Sequence, residues 1–198
     1  MTDNINRFSM TIFDYDDFSL FSEVIEDICK NEINSLKAVI SNEYFNVETY
    51  VNRVTIGLPQ RFTCWTSSNY PAKIFFMSNL DDGWFTMVNC IQNRLHCNCF
   101  YFYFVDRSNN DDIGAFFQYS NVNEGYVRTV YAIKEFKWVF YEHGLPAYFE
   151  DLNNYKARRI KDRLNSRIII NYLEKQGINL LDVDIDITNS ISYIQTSW

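Results

Sequence analysis

The 198 residues, 47% hydrophobic and 22% charged, suffice for one domain whose buried core needs neither disulfides nor a metal, and they exclude a chain that is mainly disordered, collagen-like or linker-like. Aromatics reach 18% (17 Phe, 14 Tyr, 4 Trp), and side chains of that size and β preference predict a large sheet. A net charge of −7 repels phosphate and anionic lipid at long range, so nucleic acid and membrane surfaces are disfavoured as partners while a cationic protein is admitted.

The opening MTDNINRFSMTIFDYDD has no cationic stretch leading into an apolar one, which argues against a secretory signal. No apolar run approaches the ~20 residues that span a bilayer. Five cysteines, an odd count, fit reduced thiols, so the expected location is cytoplasmic. Residues 8–13 read as a short strand. Phe18, Phe21, Val24, Ile25 and Ile28 then recur at helical spacing, with Asp17 placed to cap the helix. Leu36, Val39 and Ile40 predict a continuation or a second helix.

From about Tyr50 the period shortens, and segments 50–56, 61–65 and 72–77 read as strands. After a turn at Asn79–Gly83, the spacing of Trp84, Val88, Ile91 and Leu95 predicts a helix, with Asp81 and Asp82 favourable at its positive end. Segments 97–105, 113–120, 125–133 and 136–141 are strand-rich, and the short turns 108–112 and 121–125 make neighbours antiparallel. Helices are expected at about 152–163 and 166–176, the second capped by Asn165 or Ser166 and closed by Gly177. The alternation of apolar residues with Asp182, Asp184 and Asp186 over 181–187 reads as a half-exposed strand with an acidic outer face. The expected fold is α+β, a single globular domain over 1–198 in which a central antiparallel sheet, with a meander of at least four strands, is flanked by helices.

Chemistry-bearing patterns are sparse. Zinc wants four tetrahedral ligands; Cys97 and Cys99 share one face of a strand beside His96, and His143 lies far off, so no metal is expected. Neither histidine sits in a recognisable nucleophile context, and no catalytic residue and no cofactor are assigned. The carboxylate pairs Asp16/Asp17, Asp81/Asp82, Asp111/Asp112 and Glu150/Asp151 all fall at turns or helix starts, where acids cap. The stretch 156–167 carries six Lys/Arg against Asp162, a net +5, and reads first as a solvated helix face with Arg158 and Asp162 paired at i,i+4.

One run of residues has a family likeness. It comprises Ser78-Asn79, Asp82-Gly83-Trp84 and Val88-Asn89, then Trp138 to Glu142 with Gly144, Phe149-Glu150, Tyr155-Lys156, Arg158 to Arg163, and Tyr172-Leu173 with Gly177. Over roughly residues 70–180 this resembles the small cytosolic immunity proteins encoded beside bacterial polymorphic or contact-dependent-inhibition toxins. The resemblance implies an inhibitor, not an enzyme, that binds a cognate toxin domain. It carries over no catalytic residue, and Trp138, Tyr141 and Arg163 are expected to hold the fold.

The charge distribution fits that implication. Residues 1–50 hold ten acids against three bases, a net −7 that equals the charge of the whole chain. Toxin nuclease domains that hold phosphate are cationic, so the expected partner-binding residues are the acids around the first helix: Asp14, Asp16, Asp17, Glu23, Glu26 and Asp27. Two other classes remain open on the residues alone: a nucleic-acid module using the basic stretch 156–167, and a small hydrolase built on Cys97, Cys99 or His143.

Overall fold

The computed structural model describes residues 7–31, 60–80, 82–105 and 113–194. Their eight strands form one antiparallel sheet: β1 (Arg7–Asp14), β2 (Arg61–Ser67), β3 (Tyr70–Ser78), β4 (Cys99–Val105), β5 (Ile113–Asn121), β6 (Tyr126–Lys134), β7 (Trp138–His143) and β8 (Ser190–Ile194). The spatial order is β7-β6-β5-β4-β1-β3-β2-β8. The fold class is therefore α+β, and β4 to β7 form the expected four-strand meander. The readings over 32–59, the second helix and the 50–56 strand among them, and the 108–112 turn lie outside the described residues.

Alternation along the strands divides the aromatics between two cores, one on each face of the sheet. On the first face Phe8, Phe75, Phe100, Phe102 and Phe117 pack under the C-terminal third of the chain, which contributes Phe149, Tyr155, Leu164, Ile169, Tyr172 and Leu173. On the second face α1 (Phe18–Asn31) and α2 (Phe85–Leu95) cover β1, β3 and β2 with Phe21, Ile25, Ile28, Met87, Val88 and Ile91. Asp17 caps α1 as expected, its carboxylate accepting the Leu20 amide at 2.9 Å.

The turn before α2 is built differently from expectation. Asp82 does not sit in the first turn of the helix; its carboxylate accepts the Trp84 amide at 3.0 Å, while its carbonyl accepts the Tyr101 hydroxyl at 2.6 Å. Asp81 lies outside the described residues. Gly83 and Trp84 both adopt left-handed backbone, at φ 62° and 59°. A Cβ on Gly83 would stand 2.8 Å from the Tyr101 ring, so the position needs glycine for space as well as for φ. Trp84 tolerates its φ because its indole packs edge-on against Phe62, centroids 5.4 Å apart.

Two readings are corrected. The helix expected over 152–163 is instead a pair of one-turn 3-10 helices, Asn154–Lys156 and Ile160–Asp162, and the expected Arg158–Asp162 pair gives way to Arg159–Asp162 at 2.5 Å. Local side chains compete with helical hydrogen bonds there: Asp151 accepts the Asn153 amide at 3.0 Å, and Arg163 donates to the Ala157 carbonyl at 2.9 Å while lying over the Phe140 ring. The expected 181–187 strand is a 3-10 turn, Leu180–Asp182, followed by an extended strap; the strand β8 starts only at Ser190. The second helix is as expected: α3 (Ser166–Lys175) is capped by the Asn165 side chain, which accepts the Ile168 amide, and Gly177 follows it at φ 77°.

The C-terminal third is fastened to the sheet by one buried ion pair. Arg128 on β6 is 2% exposed and Glu150 is fully buried; Arg128 Nε donates to Glu150 Oε1 at 2.9 Å, and Nη2 donates to Glu150 Oε2 at 2.9 Å and to Glu142 on β7 at 2.6 Å. Nη1 reaches the Gly144 carbonyl at 3.0 Å. The Glu150 carboxylate also accepts the Tyr155 hydroxyl at 2.5 Å and the Ala147 amide at 2.7 Å. Burial alone would lower the Arg128 guanidinium; its bonds to Glu150 and then Glu142 outweigh that and raise it. Glu150→Gln strips a buried cation of its main partner, and urea unfolding should show a loss of about 3–5 kcal/mol. The apolar double variant Arg128→Met with Glu150→Leu should recover most of it; a single-variant loss under about 1 kcal/mol would contradict the assignment.

Candidate functional site

The six acids singled out in the sequence fall at the start and along the outer side of α1, but they do not form one continuous negative face. Asp14 ends β1 and pairs with Lys73 of β3 at 2.5 Å. Glu26 pairs with Lys30 one turn on at 3.0 Å, and Asp27 pairs with Arg94 of α2. Asp17 spends one oxygen on the helix cap. Asp16 and Glu23 are exposed and have no cationic partner among the described residues. The pairs are solvent-exposed, so they hold little energy, of order 0–1 kcal/mol each, yet they cancel much of the long-range field of the helix.

Negative charge gathers instead at the end of the sheet. A groove of about 640 Å³ lies between the start of α1, the end of β2 and the strap before β8, lined by Asp16, Asp17, Thr66, Ser67, Asp186 and Asn189 among others, and by no basic side chain among the described residues. Asp186 could not be assigned to this place from the sequence, since it belongs to the segment read as an acidic strand. The strap sets it there. Asp186 donates its amide to the Thr66 carbonyl at 3.1 Å, and its carboxylate accepts the Thr188 amide at 2.9 Å. Neighbouring Asp184 accepts the Ser67 and Ser68 hydroxyls, and Asn69 Nδ2 donates to the Asp182 carbonyl at 2.7 Å. The three aspartates therefore tie turns to the β2–β3 hairpin; they are not the outer face of a strand.

Those bonds also tune acidity. Hydroxyl donation from Ser67, then from Ser68, lowers Asp184 to about 2, and Thr188 and Asn189 lower Asp186. Of these two, Asp186 lines the groove, and it holds its charge further into acid than an ordinary aspartate.

A second surface is apolar. On the half of the second sheet face beyond α1 and α2, Tyr103, Phe116, Tyr131 and Tyr141 stand directly opposite one another across β4 to β7. Their rings stack in sequence, with centroids 5.3, 6.5 and 5.0 Å apart, and Tyr141 at the β7 edge is 44% exposed. Tyr141 thus extends this ladder, and Arg163, lying over Phe140, donates to the Ala157 carbonyl between the 3-10 turns.

The thiols and imidazoles are dispersed. Burial pushes Cys29, Cys97 and Cys99 up to about 12 and Cys64 well up, which disfavours the thiolate that nucleophilic or metal chemistry needs. His96 ends α2 and His143 ends β7. Among the described residues no group of three or more His, Cys, Asp or Glu is arranged to hold a metal, and no helix is long and apolar enough to cross a membrane. The basic stretch 156–167 does not present one helical face: Arg163 is turned to Phe140 and Arg159 to Asp162. Comparison of the chain with protein-family models, with curated proteins and with solved structures gives no match.

Two measurements check this account. Asp184 has a folded value near 2 against an ordinary 3.8, so its contribution to stability is complete above pH 3.8 and is lost as pH falls through 2. Unfolding midpoints should drop across that window, and Asp184→Asn should flatten the drop; an unchanged profile in the variant contradicts the assignment. In the folded protein at about pH 8, iodoacetamide should modify half-buried Cys90 ahead of the other four cysteines. Rapid labelling of Cys64 without denaturant would count against the burial described.

Proposed function

We propose that this chain is a cytoplasmic immunity protein that binds a cationic bacterial toxin domain and neutralises it by occlusion. The observation that carries the reading is the groove at the end of the sheet, whose charged walls are carboxylates from both ends of the chain. An acidic concavity on a net-negative body steers a basic protein toward it and opposes nucleic acid or lipid. Asp16 and Glu23, without a cationic partner among the described residues, extend that field along α1, while Asp14 and Asp27 pair with Lys73 and Arg94 of neighbouring elements and Glu26 pairs with Lys30 of its own helix.

The residues behind the family likeness support the reading in a specific way. Glu142, Gly144, Glu150 and Tyr155 all converge on Arg128, and the Tyr172 hydroxyl donates to Tyr155 at 3.2 Å. Asp82-Gly83-Trp84 forms the left-handed turn onto Tyr101. What resembles the immunity proteins is thus scaffold, and a scaffold held by buried interactions leaves the surface acids open to vary with the partner. The flat aromatic ladder ending at Tyr141 offers such an interface additional apolar area.

Co-expression with the toxin encoded beside it should restore growth to cells that the toxin alone kills, and the two proteins should co-purify in a salt-sensitive complex. Continued killing with both proteins soluble overturns the reading for that pair.

A further inference from the structure

We infer that β7 is a self-pairing edge, through which two copies of this chain join their sheets antiparallel about a two-fold axis at Tyr141. The inference is independent of the immunity reading. β7 ends the sheet, and its outer side carries no strand among the described residues. Every other residue of such a strand directs its N–H and C=O outward. Edge strands are ordinarily protected by a bulge, a proline or a lysine. β7 has none of these: its register with β6 is unbroken from Thr129↔His143 to Lys134↔Trp138, and WVFYEH holds no lysine or proline. Apolar exposure is concentrated there as well. Of the ten large apolar side chains exposed among the described residues, five fall along β7 and its flanks: Phe136, Val139, Tyr141, Leu145 and Tyr148.

The chemistry of the edge selects a second copy as its occupant. Residues 134–145 carry Lys134 and Lys137 against Glu135 and Glu142, a net charge of zero on a chain of −7, so like charges do not oppose contact here. Lys137 precedes the strand and Glu142 lies near its end; antiparallel pairing sets the lysine end of each copy beside the carboxylate end of the other. Phe136 is fully exposed at one end and Leu145 is 69% exposed at the other, and the same pairing brings them level across the junction. Each end thus supplies what the opposite end lacks, which is the signature of an isologous contact. Register follows from the pleat. Residues directly opposite share a face, so the axis passes through a residue, and the two at the middle of β7 are Phe140 and Tyr141. Phe140 is committed to the first core: its ring lies 5.4 Å from that of Tyr155 and 5.3 Å from the Arg163 guanidinium. Tyr141 is the open end of the ring ladder, and self-pairing there continues the stack into the partner.

The test begins with the mass of the intact protein by sedimentation equilibrium, which should rise from 23.6 kDa toward twice that between about 1 and about 200 µM. Val139→Lys places a charge at an exposed position of the edge and should weaken the dimer about ten-fold, while Tyr141→Phe, which keeps the ring, should change it less than about two-fold. Unchanged circular dichroism establishes that both variants fold. Register is read by oxidative cross-linking. Paired residues at the axis have Cα atoms about 5 Å apart, within disulfide reach, so Tyr141→Cys should cross-link to itself with copper phenanthroline. The two Val139 positions stand four residues apart along the strands, about 13 Å, and Val139→Cys should not. The unsubstituted chain, whose own cysteines are buried or half-buried, sets the background. A monomer at every concentration, a dimer indifferent to Val139→Lys, or Val139→Cys cross-linking as readily as Tyr141→Cys would overturn the inference.

Discussion

The buried pair of Arg128 and Glu150 is the constraint on which the architecture turns. The β4–β7 meander has short local connections, but it buries its first face only if the irregular chain from Gly144 to Leu164 folds back over it. That chain has two one-turn 3-10 helices and little regular hydrogen bonding of its own. A guanidinium enclosed among aromatic side chains must be matched by carboxylate and carbonyl acceptors, since an unpaired buried charge would be untenable. Glu150 meets that demand from the returning segment, and Glu142 and the Gly144 carbonyl meet it from the edge of the sheet. The geometry is closed further at Gly144, φ 86°, where a Cβ would lie 2.1 Å from the Val127 carbonyl oxygen. Electrostatics thus fixes one register for packing that the apolar contacts alone would leave loosely specified.

Much of this fold was legible because it is local. Alternation located the described strands up to β7, the 3.6 period located α1, α2 and α3, and the caps at Asp17 and Asn165 obey a rule of three residues' reach. The failures share a cause. Asp182, Asp184 and Asp186 alternate with apolar residues and so imitate a strand, but each is committed to a turn or to the β2–β3 hairpin, and the intervening Val183 and Ile185 pack on the first core. The apolar stripe expected at Ile160 and Leu164 does face the core, yet Asp151 takes the Asn153 amide and Arg163 the Ala157 carbonyl, so side chains and not helical bonds hold this backbone. Periodicity reports which side chains face inward; it does not report which hydrogen bonds the backbone chooses.

The candidate site was half legible. Counting charges put the excess acid in the first quarter of the chain, and Asp16 and Asp17 do stand at the groove. Counting does not reveal that Lys73 and Arg94, distant in sequence, neutralise Asp14 and Asp27, because those pairs are made by strand order and by the packing of α1 on α2. Nor does it reveal Asp186, delivered by the last strap of the chain. Local charge density and usable charge are different quantities, and tertiary structure converts one to the other.

That conversion bears on how an acidic protein can be specific. Exposed pairs such as Glu26–Lys30 are worth little, and a partner's lysine can exchange with them at nearly no gain. A carboxylate in a concavity differs: a cation entering it sheds water into a site whose acceptors are already oriented by the helix cap and by the turn at Asp186. Preorganisation reduces the ordering penalty of association, and the low local dielectric strengthens each bond once water is displaced. On the proposed immunity reading, the diffuse charge of the first quarter of the chain governs how fast a basic partner arrives, and the few acids of the groove govern which partner stays.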